Sequence, residues 1–545
     1  MKLAIGLKLF LVLLLIISCL PAQARSNSAG VEKRTIRPPH DGDGNYKNPI
    51  IFADYSDPDV IRVGDDFYLV ASSFNASPGL PVLHSRDLVN WTIIGHVFQK
   101  YPYESFNVPQ HGNGVWAPSI RYHKGEFYVF FGDPDLGIFM SRAKNPAGPW
   151  KPLLRVKEAK GWIDTCPFWD SDGQAYLVHA WAKSRSGINS IITINRMSPD
   201  GTRLLDEGRT VFDAHAHHPT MEGPKLYKRG SYYYIFAPAG GVPTGWQTVL
   251  RSKNIYGPYE DRIVMDQGRT PINGPHQGGW VELKSGESWF IHFQDRGAYG
   301  RITHLQPLKW INEWPVIGSD PDGDGKGEPV LTYQKPDVKP GQLLTAPQTT
   351  DEFSGTTRAL QWQWQANYQA AWMSLTARSG WLRLFSMPAP QRSVNLWPVP
   401  NLLLQKLPAE EFTVTTRLDF SRLAPGERAG LIMFGMDYSY LAVERSESGF
   451  RLIKRACINA ITGGKEISES QQNLRAVTVV LRVKVSSGAV CNFSFSQDGQ
   501  TFTPAGQLFT AREGRWVGAK VGLFALAQSG ATNTGYADFD WFRVE

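Results

Sequence analysis

Cysteine is scarce, with 4 in 545 residues and no CxxC pair. That argues against a cysteine-built zinc site. Charge is moderate as well. Charged side chains make up 20% of the chain, and its Lys and Arg residues are scattered with no basic run. The formal net charge of +7 therefore has no concentrated patch behind it, and no nucleic acid partner is expected. Sustained helical periodicity is almost absent, which argues against helical bundles and helix-pair solenoids. Beyond the N-terminal segment, no stretch is apolar for the ~18 residues that a membrane span needs. No transmembrane helix is expected.

The N-terminus carries the one marked apolar run. Lys2 and Lys8 precede Leu9 to Ile17, and Ala22-Gln23-Ala24 is a small-residue cleavage signal. Residues 1–24 therefore read as a signal peptide, whose removal takes two lysines and leaves +5. Ile16-Ile17-Ser18-Cys19 also resembles a bacterial lipoprotein box, in which Cys19 would carry lipid. The expected localisation is export, either periplasmic or secreted, with a lipoprotein anchored at Cys19 as the alternative. An oxidising compartment would let Cys457 pair with Cys491. The other reading is three buried free thiols at Cys166, Cys457 and Cys491.

What the chain has in abundance is aromatic residues, 12% with 18 Trp, and a repeat. Flat apolar rings suit a carbohydrate-facing surface, and equally suit aromatic β-strands. Asp57-Pro58-Asp59-Val60-Ile61-Arg62 runs through Gly64-Asp65 into Phe67-Tyr68-Leu69-Val70. The phrase returns from Ala117 to Phe130, from Asp164 to Val178 and from Glu222 to Phe236. A looser copy starts at His276 and reaches Ile291. Five copies spaced by ~50 residues, each filling one small sheet, predict an all-β five-bladed β-propeller over residues 46–335. A polar lead-in occupies 25–45 and a Pro/Thr linker 336–350. Alternating segments such as 411–418, 477–485 and 491–496 predict a β-sandwich over 351–545.

Equivalent positions in the blades of a propeller converge on its axis. Aligning the copies brings Asp57, Ala117 with Trp116, Asp164, Glu222 and His276 to one ring. Clustered acids repel and raise one another's pKa, so they are poor folding devices. Two carboxylates with separated pKa values are what glycoside hydrolysis needs. Asp54 and Asp59 are neighbours to set apart. Asp59 shares the parity of Asp57, so strand alternation does not exclude it. Asp320-Pro321-Asp322-Gly323-Asp324-Gly325 has the opening spacing of an EF-hand, but Leu331 stands at the twelfth position. It reads as an acidic turn.

Ser56-Asp57-Pro58-Asp59, Gly114-Val115-Trp116-Ala117-Pro118, Ile163-Asp164, Met221-Glu222-Gly223-Pro224 and Gly300-Arg301-Ile302-Thr303 together resemble glycoside hydrolase family 43. The C-terminal part resembles the concanavalin A-like β-sandwich that often follows it in β-xylosidases. The resemblance implies an exo-acting, inverting enzyme that releases terminal L-arabinofuranose or D-xylose from plant cell-wall polysaccharide or oligosaccharide. It implies Asp57 as general base, Glu222 as general acid and Asp164 as the residue that tunes Glu222. Inversion needs room for a water, so acid and base should stand ~6.5–9.5 Å apart. Phe74 and Trp116 resemble the walls around the terminal sugar, and Arg301 a contact to its hydroxyls. Gln294 is a further candidate. His276 resembles an axial histidine that meets an ion or a water, so no cofactor is required but a structural Ca2+ near the axis is compatible. Phe74-Asn75 and the stretch 300–307 lean towards arabinofuranosidase. Two rival readings are a non-catalytic carbohydrate-binding protein and a retaining propeller glycosidase acting on fructosides.

Overall fold

The computed structural model describes residues 44–338, 345–532 and 535–545. The segment expected to be a signal peptide, the Cys19 box, nearly all of the expected lead-in and residues 339–344 of the linker lie outside the described residues.

Five four-stranded antiparallel sheets follow one another, each made of consecutive strands. Their inner strands are Asp59–Val63, Trp116–His123, Trp162–Trp169, Lys225–Arg229 and His276–Glu282. The turns after the inner strands carry the residues that such hairpins demand. Lys124-Gly125, for example, joins His123 to Glu126 with φ of 47° and 84°, the doubly left-handed turn that matches strand twist. The aromatic second strands, such as Glu126–Asp133 and Tyr232–Ala239, bury Phe130, Phe131 and Tyr234 completely.

Among the described residues, no blade takes a strand from the far end of the chain. Closure comes from the segment leading into blade one. Asn45–Lys47 pairs with Thr332–Gln334. Ile51 exchanges backbone hydrogen bonds with Thr303 of blade five. The Asn48 amide donates to the carbonyls of Leu305 and Val330 at 2.7 and 2.8 Å.

Two eight-stranded sheets form the sandwich. Its core is not separate from the propeller, because Tyr299 and Ile302 of blade five belong to the same apolar cluster as Trp364, Leu431 and Phe539. Trp364 also pairs its backbone with Ser77 of blade one. The free-thiol reading holds: Cys166, Cys457 and Cys491 are free and buried. Cys491 lies in the inter-sheet core and Cys457 in a different cluster. The 320–325 turn behaves as an acidic turn, with Asp320 accepting from the Gly323 and Gly325 N–H groups.

At the propeller–sandwich junction, the Asp54 carboxylate accepts from Arg301 N–H and Gly518 N–H at 2.9 and 3.0 Å. Lys520 is buried close by. Burial first, then the charge of its strand partner Lys406, pulls its pKa from 10.5 down to about 7, against the pull of Asp54. Unfolded chain protonates Lys520 at ~10.4, so between pH ~10 and ~7 the unfolded state binds the extra proton. Stability therefore falls as pH falls through that window and levels off below it. Lys520→Met should raise the thermal midpoint, with a gain of about 1–4 kcal/mol below pH 7 that shrinks towards pH 10. Calorimetry of both proteins across that range checks this.

Candidate active site

At the start of each inner strand the backbone turns left-handed: Asp57 (φ 54°), Ala117 (28°), Asp164 (58°), Gly223 (60°) and Gln277 (38°). In blades two, three and five the register breaks at the same place, between Trp116 and Ser119, Ile163 and Cys166, and His276 and Gly278. Such bulges re-aim side chains, and each non-glycine left-handed residue costs on the order of 1–3 kcal/mol. The repeated strain marks this mouth of the propeller as built for something other than folding.

The equivalence expected from the repeat is corrected in two blades. Gly223 and Gln277, rather than Glu222 and His276, hold the left-handed position. The bend in these blades falls one residue later than the aligned copies place it. Glu222 thus enters from just before the bend, anchored by its N–H on the Pro238 carbonyl at 3.0 Å.

Asp57 is 4% exposed. Ser56 and Ser72 hydroxyls donate to its Oδ2 at 2.8 and 2.5 Å, and Arg301 donates to its Oδ1 at 3.0 Å. Ala117 N–H donates to the same Ser72 hydroxyl, tying blade two to the acid. Asp59 has a different setting. It is fully buried and salt-bridged to Arg121 at 2.6 Å, and it accepts from Ile120 N–H. The left-handed turn at Asp57 breaks the alternation that would have put both acids on one face.

Asp164 is 2% exposed and accepts from Gly223 N–H at 2.7 Å and the Gln277 amide at 3.4 Å. Its pKa is raised well above the ordinary value, by burial first and then by the charges of Glu222 and Asp57. The three acids therefore form one electrostatic unit. The Glu222 side chain is 31% exposed, and His276 Nε2 lies 2.8 Å from its Oε1.

Phe74 and Trp116 come together at the rim, with ring centroids 6.4 Å apart. Arg301 is joined to Asp57 as expected and lies over the Phe293 ring. Gln294 is not brought to the acids. Its amide donates to the Pro271 carbonyl and Asn273, and its oxygen lies 3.1 Å from His304 Nε2, so its polar atoms support a loop. His276 is fully buried. In residues 165, 276 and 277 the buried side-chain atoms without hydrogen-bond partners are Thr165 Oγ1, His276 Nδ1 and Gln277 Oε1. One hydroxyl, one imidazole and one amide oxygen fall short of the six to eight oxygens that Ca2+ takes.

Two residues beside Trp116 carry no local sequence signal that ties them to the site. Trp516 of the sandwich is 50% exposed at φ 64°, and its ring stands 6.4 Å from that of Trp116. Arg185 of blade three lies 5.7 Å over the Trp116 ring and donates to Asn113 at 2.8 Å. An aromatic between glycines, as in Gly514-Arg515-Trp516-Val517-Gly518, hints at a loop contact but not at its target.

Residues 46–315 match the family model of glycosyl hydrolases family 43, and residues 350–545 match the beta xylosidase C-terminal concanavalin A-like domain. A Xylanibacter ruminicola protein provisionally named a beta-xylosidase is 43% identical over 485 residues, 88% of this chain and 86% of that one. A Bacteroides ovatus protein named a non-reducing end alpha-L-arabinofuranosidase is 30% identical, covering 91% of this chain and 94% of its own. The crystal structure of a xylan beta-1,4-xylosidase from Bacillus halodurans superposes with a TM-score of 0.82 at 26% identity. That match covers 92% of this chain and 99% of that one.

Proposed function

Because the chain belongs to glycosyl hydrolases family 43, we propose that it removes single terminal pentoses, D-xylose or L-arabinofuranose, from plant-derived glycans with inversion at the anomeric carbon. The observation that carries this reading is the different partnering of the acids at one mouth. Arg301 and two serine hydroxyls donate to the Asp57 carboxylate and orient it, an arrangement suited to taking a proton from water. The Glu222 side chain is partly exposed and touches only an imidazole, which suits a group that gives a proton to the leaving oxygen. Asp164, joined by the Gly223 N–H to the residue after Glu222, favours the protonated form of Glu222 when it is itself ionised. Phe74 and Trp116 offer apolar faces to the sugar ring, and Trp516 closes the rim, which supports release of end residues over attack inside a chain.

Both sugars occur among the names of the relatives. β-D-Xyloside is the first substrate to assay, since the 43% identical relative bears the xylosidase name. All three acids are present, which speaks against a non-catalytic binding protein. Family membership leaves the fructoside reading without support. Export through residues 1–24, with or without lipid on Cys19, fits a polymeric substrate outside the cell.

The test is a panel of aryl β-D-xylosides and α-L-arabinofuranosides with wild type and Glu222→Gln. Wild type should cleave at least one class, and proton NMR should show the inverted anomer first. Glu222→Gln should lose about 10²–10⁴-fold on poor leaving groups and far less on dinitrophenyl pentosides, whose leaving group needs no proton. Activity on neither pentoside sinks the proposal.

A further inference from the structure

Three acids around the top of the axis have a basic partner in contact: Arg301 on Asp57, Arg121 on Asp59 and His276 on Glu222. Asp164 has none among the described residues. Its oxygens take only the Gly223 N–H and the Gln277 amide.

Lys225 is the complementary case. It lies three residues beyond Glu222, opens the inner strand of blade four, and is fully buried. Its ammonium donates to the Pro118 carbonyl at 3.1 Å and the Ser119 hydroxyl at 2.9 Å. Both acceptors are neutral and both belong to blade two. The side chain therefore reaches from blade four to blade two, past blade three, whose inner strand carries Asp164. Among the described residues, no carboxylate lies within ion-pair distance of Lys225. A buried ammonium with only neutral acceptors is strongly unfavourable unless an anion nearby offsets it, and Lys225 stands two residues beyond Gly223, whose N–H holds Asp164 at 2.7 Å.

We propose that Lys225 is a positioning residue of the reaction: it is the counter-charge of Asp164, and it opposes protonation of that carboxylate so that the proton stays on Glu222. This rests on the roles assigned above to Asp164 and Glu222. An ionised Asp164 repels charge on Glu222 and so favours its acid form. A protonated Asp164 withdraws that help, and the general acid is lost. Burial, Glu222 and Asp57 all push Asp164 towards protonation, while the Gly223 N–H and Lys225 oppose it. The Gln277 amide is the remaining polar group on the carboxylate.

Lys225→Gln keeps an N–H donor for Pro118 and Ser119 but removes the charge, whereas Lys225→Arg keeps the charge. The Gln variant should lose about tenfold or more in kcat, with KM nearly unchanged. Its acid limb should move up by about one pH unit, the size of a lost neighbouring charge. The Arg variant should keep the wild-type limb. Equal losses in both variants with unmoved limbs overturn the proposal. A second readout is independent of activity. Asp164→Asn should lower the thermal midpoint by stranding Lys225, and adding Lys225→Gln should raise it again. Where Lys225→Gln alone does not fold, adding Asp164→Asn should restore folded protein. Additive destabilisation, or no restoration, overturns the pairing even if the protein cleaves no pentoside, so failure here is distinguishable from failure of the glycosidase reading.

Discussion

Asp57→Asn is expected to lower kcat by about 10³–10⁴-fold on every pentoside, whatever its leaving group. The reason lies in which proton the residue handles. Water attacking the anomeric carbon must shed a proton as the bond forms, in all substrates alike. A carboxylate accepts that proton and a carboxamide does not. The substitution should leave the fold intact. The carboxamide oxygen can still accept from Arg301, and the Ser56 and Ser72 hydroxyls can rotate to accept from the new amide. Glu222→Gln gives the contrasting pattern, because the need for its proton vanishes with a good leaving group. A plot of log kcat against leaving-group pKa should therefore be displaced in parallel for Asp57→Asn and steepened for Glu222→Gln. If the two plots behave alike, the roles of base and acid are wrongly divided. A loss in Asp59→Asn as large and leaving-group-independent as in Asp57→Asn would contradict the assignment of the base.

The largest stability effect is expected at Arg121. Its guanidinium bridges three blades directly: it pairs with Asp59 of blade one, belongs to blade two, and donates to Cys166 Sγ of blade three at 2.8 Å. It also lies 5.1 Å over the Tyr227 ring of blade four, whose hydroxyl in turn accepts from Trp280 N–H of blade five. Asp59 is fully buried and Arg121 is 13% exposed. Removing one member of such a pair leaves an uncompensated charge in the core. Arg121→Met should cost about 3–5 kcal/mol, read as a lowered midpoint in denaturant unfolding. The partner experiment separates charge from packing. Asp59→Asn keeps an acceptor for Ile120 N–H, so Asp59→Asn combined with Arg121→Met should recover much of the loss. A double variant as unstable as the sum of the singles would mean that the arginine acts through packing rather than by neutralising Asp59.

Much of the architecture was legible because each blade repeats its own local chemistry. An acid or small residue, a short apolar strand, a glycine turn and an aromatic strand specify a hairpin without help from distant residues. The same regularity concealed the details at the mouth. Alternation placed Asp57 and Asp59 on one face, and a left-handed residue between strand and loop separated them. The aligned copies set Glu222 and His276 level with Asp164, and the bend in their blades falls one residue later. Gln294 sits in a polar stretch that invited a sugar contact, yet its hydrogen bonds close a neighbouring loop. Nothing in the local pattern distinguishes Lys225 from other strand lysines, yet its ammonium sits on a blade two places away.

The sequence by itself determined the repeat, the alternating strands of the second half and the kind of groups gathered at the axis, because these follow from periodicity and residue chemistry over a few tens of positions. Tertiary structure alone decided which cation serves which acid and which ring closes the rim. Arg301 meets Asp57 across 244 residues, and Gly518, two residues from Trp516, meets Asp54 across 464. Contacts over such separations depend on ring closure and on the docking of two sheets against the propeller, and a strained φ at one residue sets where each side chain points. Neither leaves a mark in local pattern.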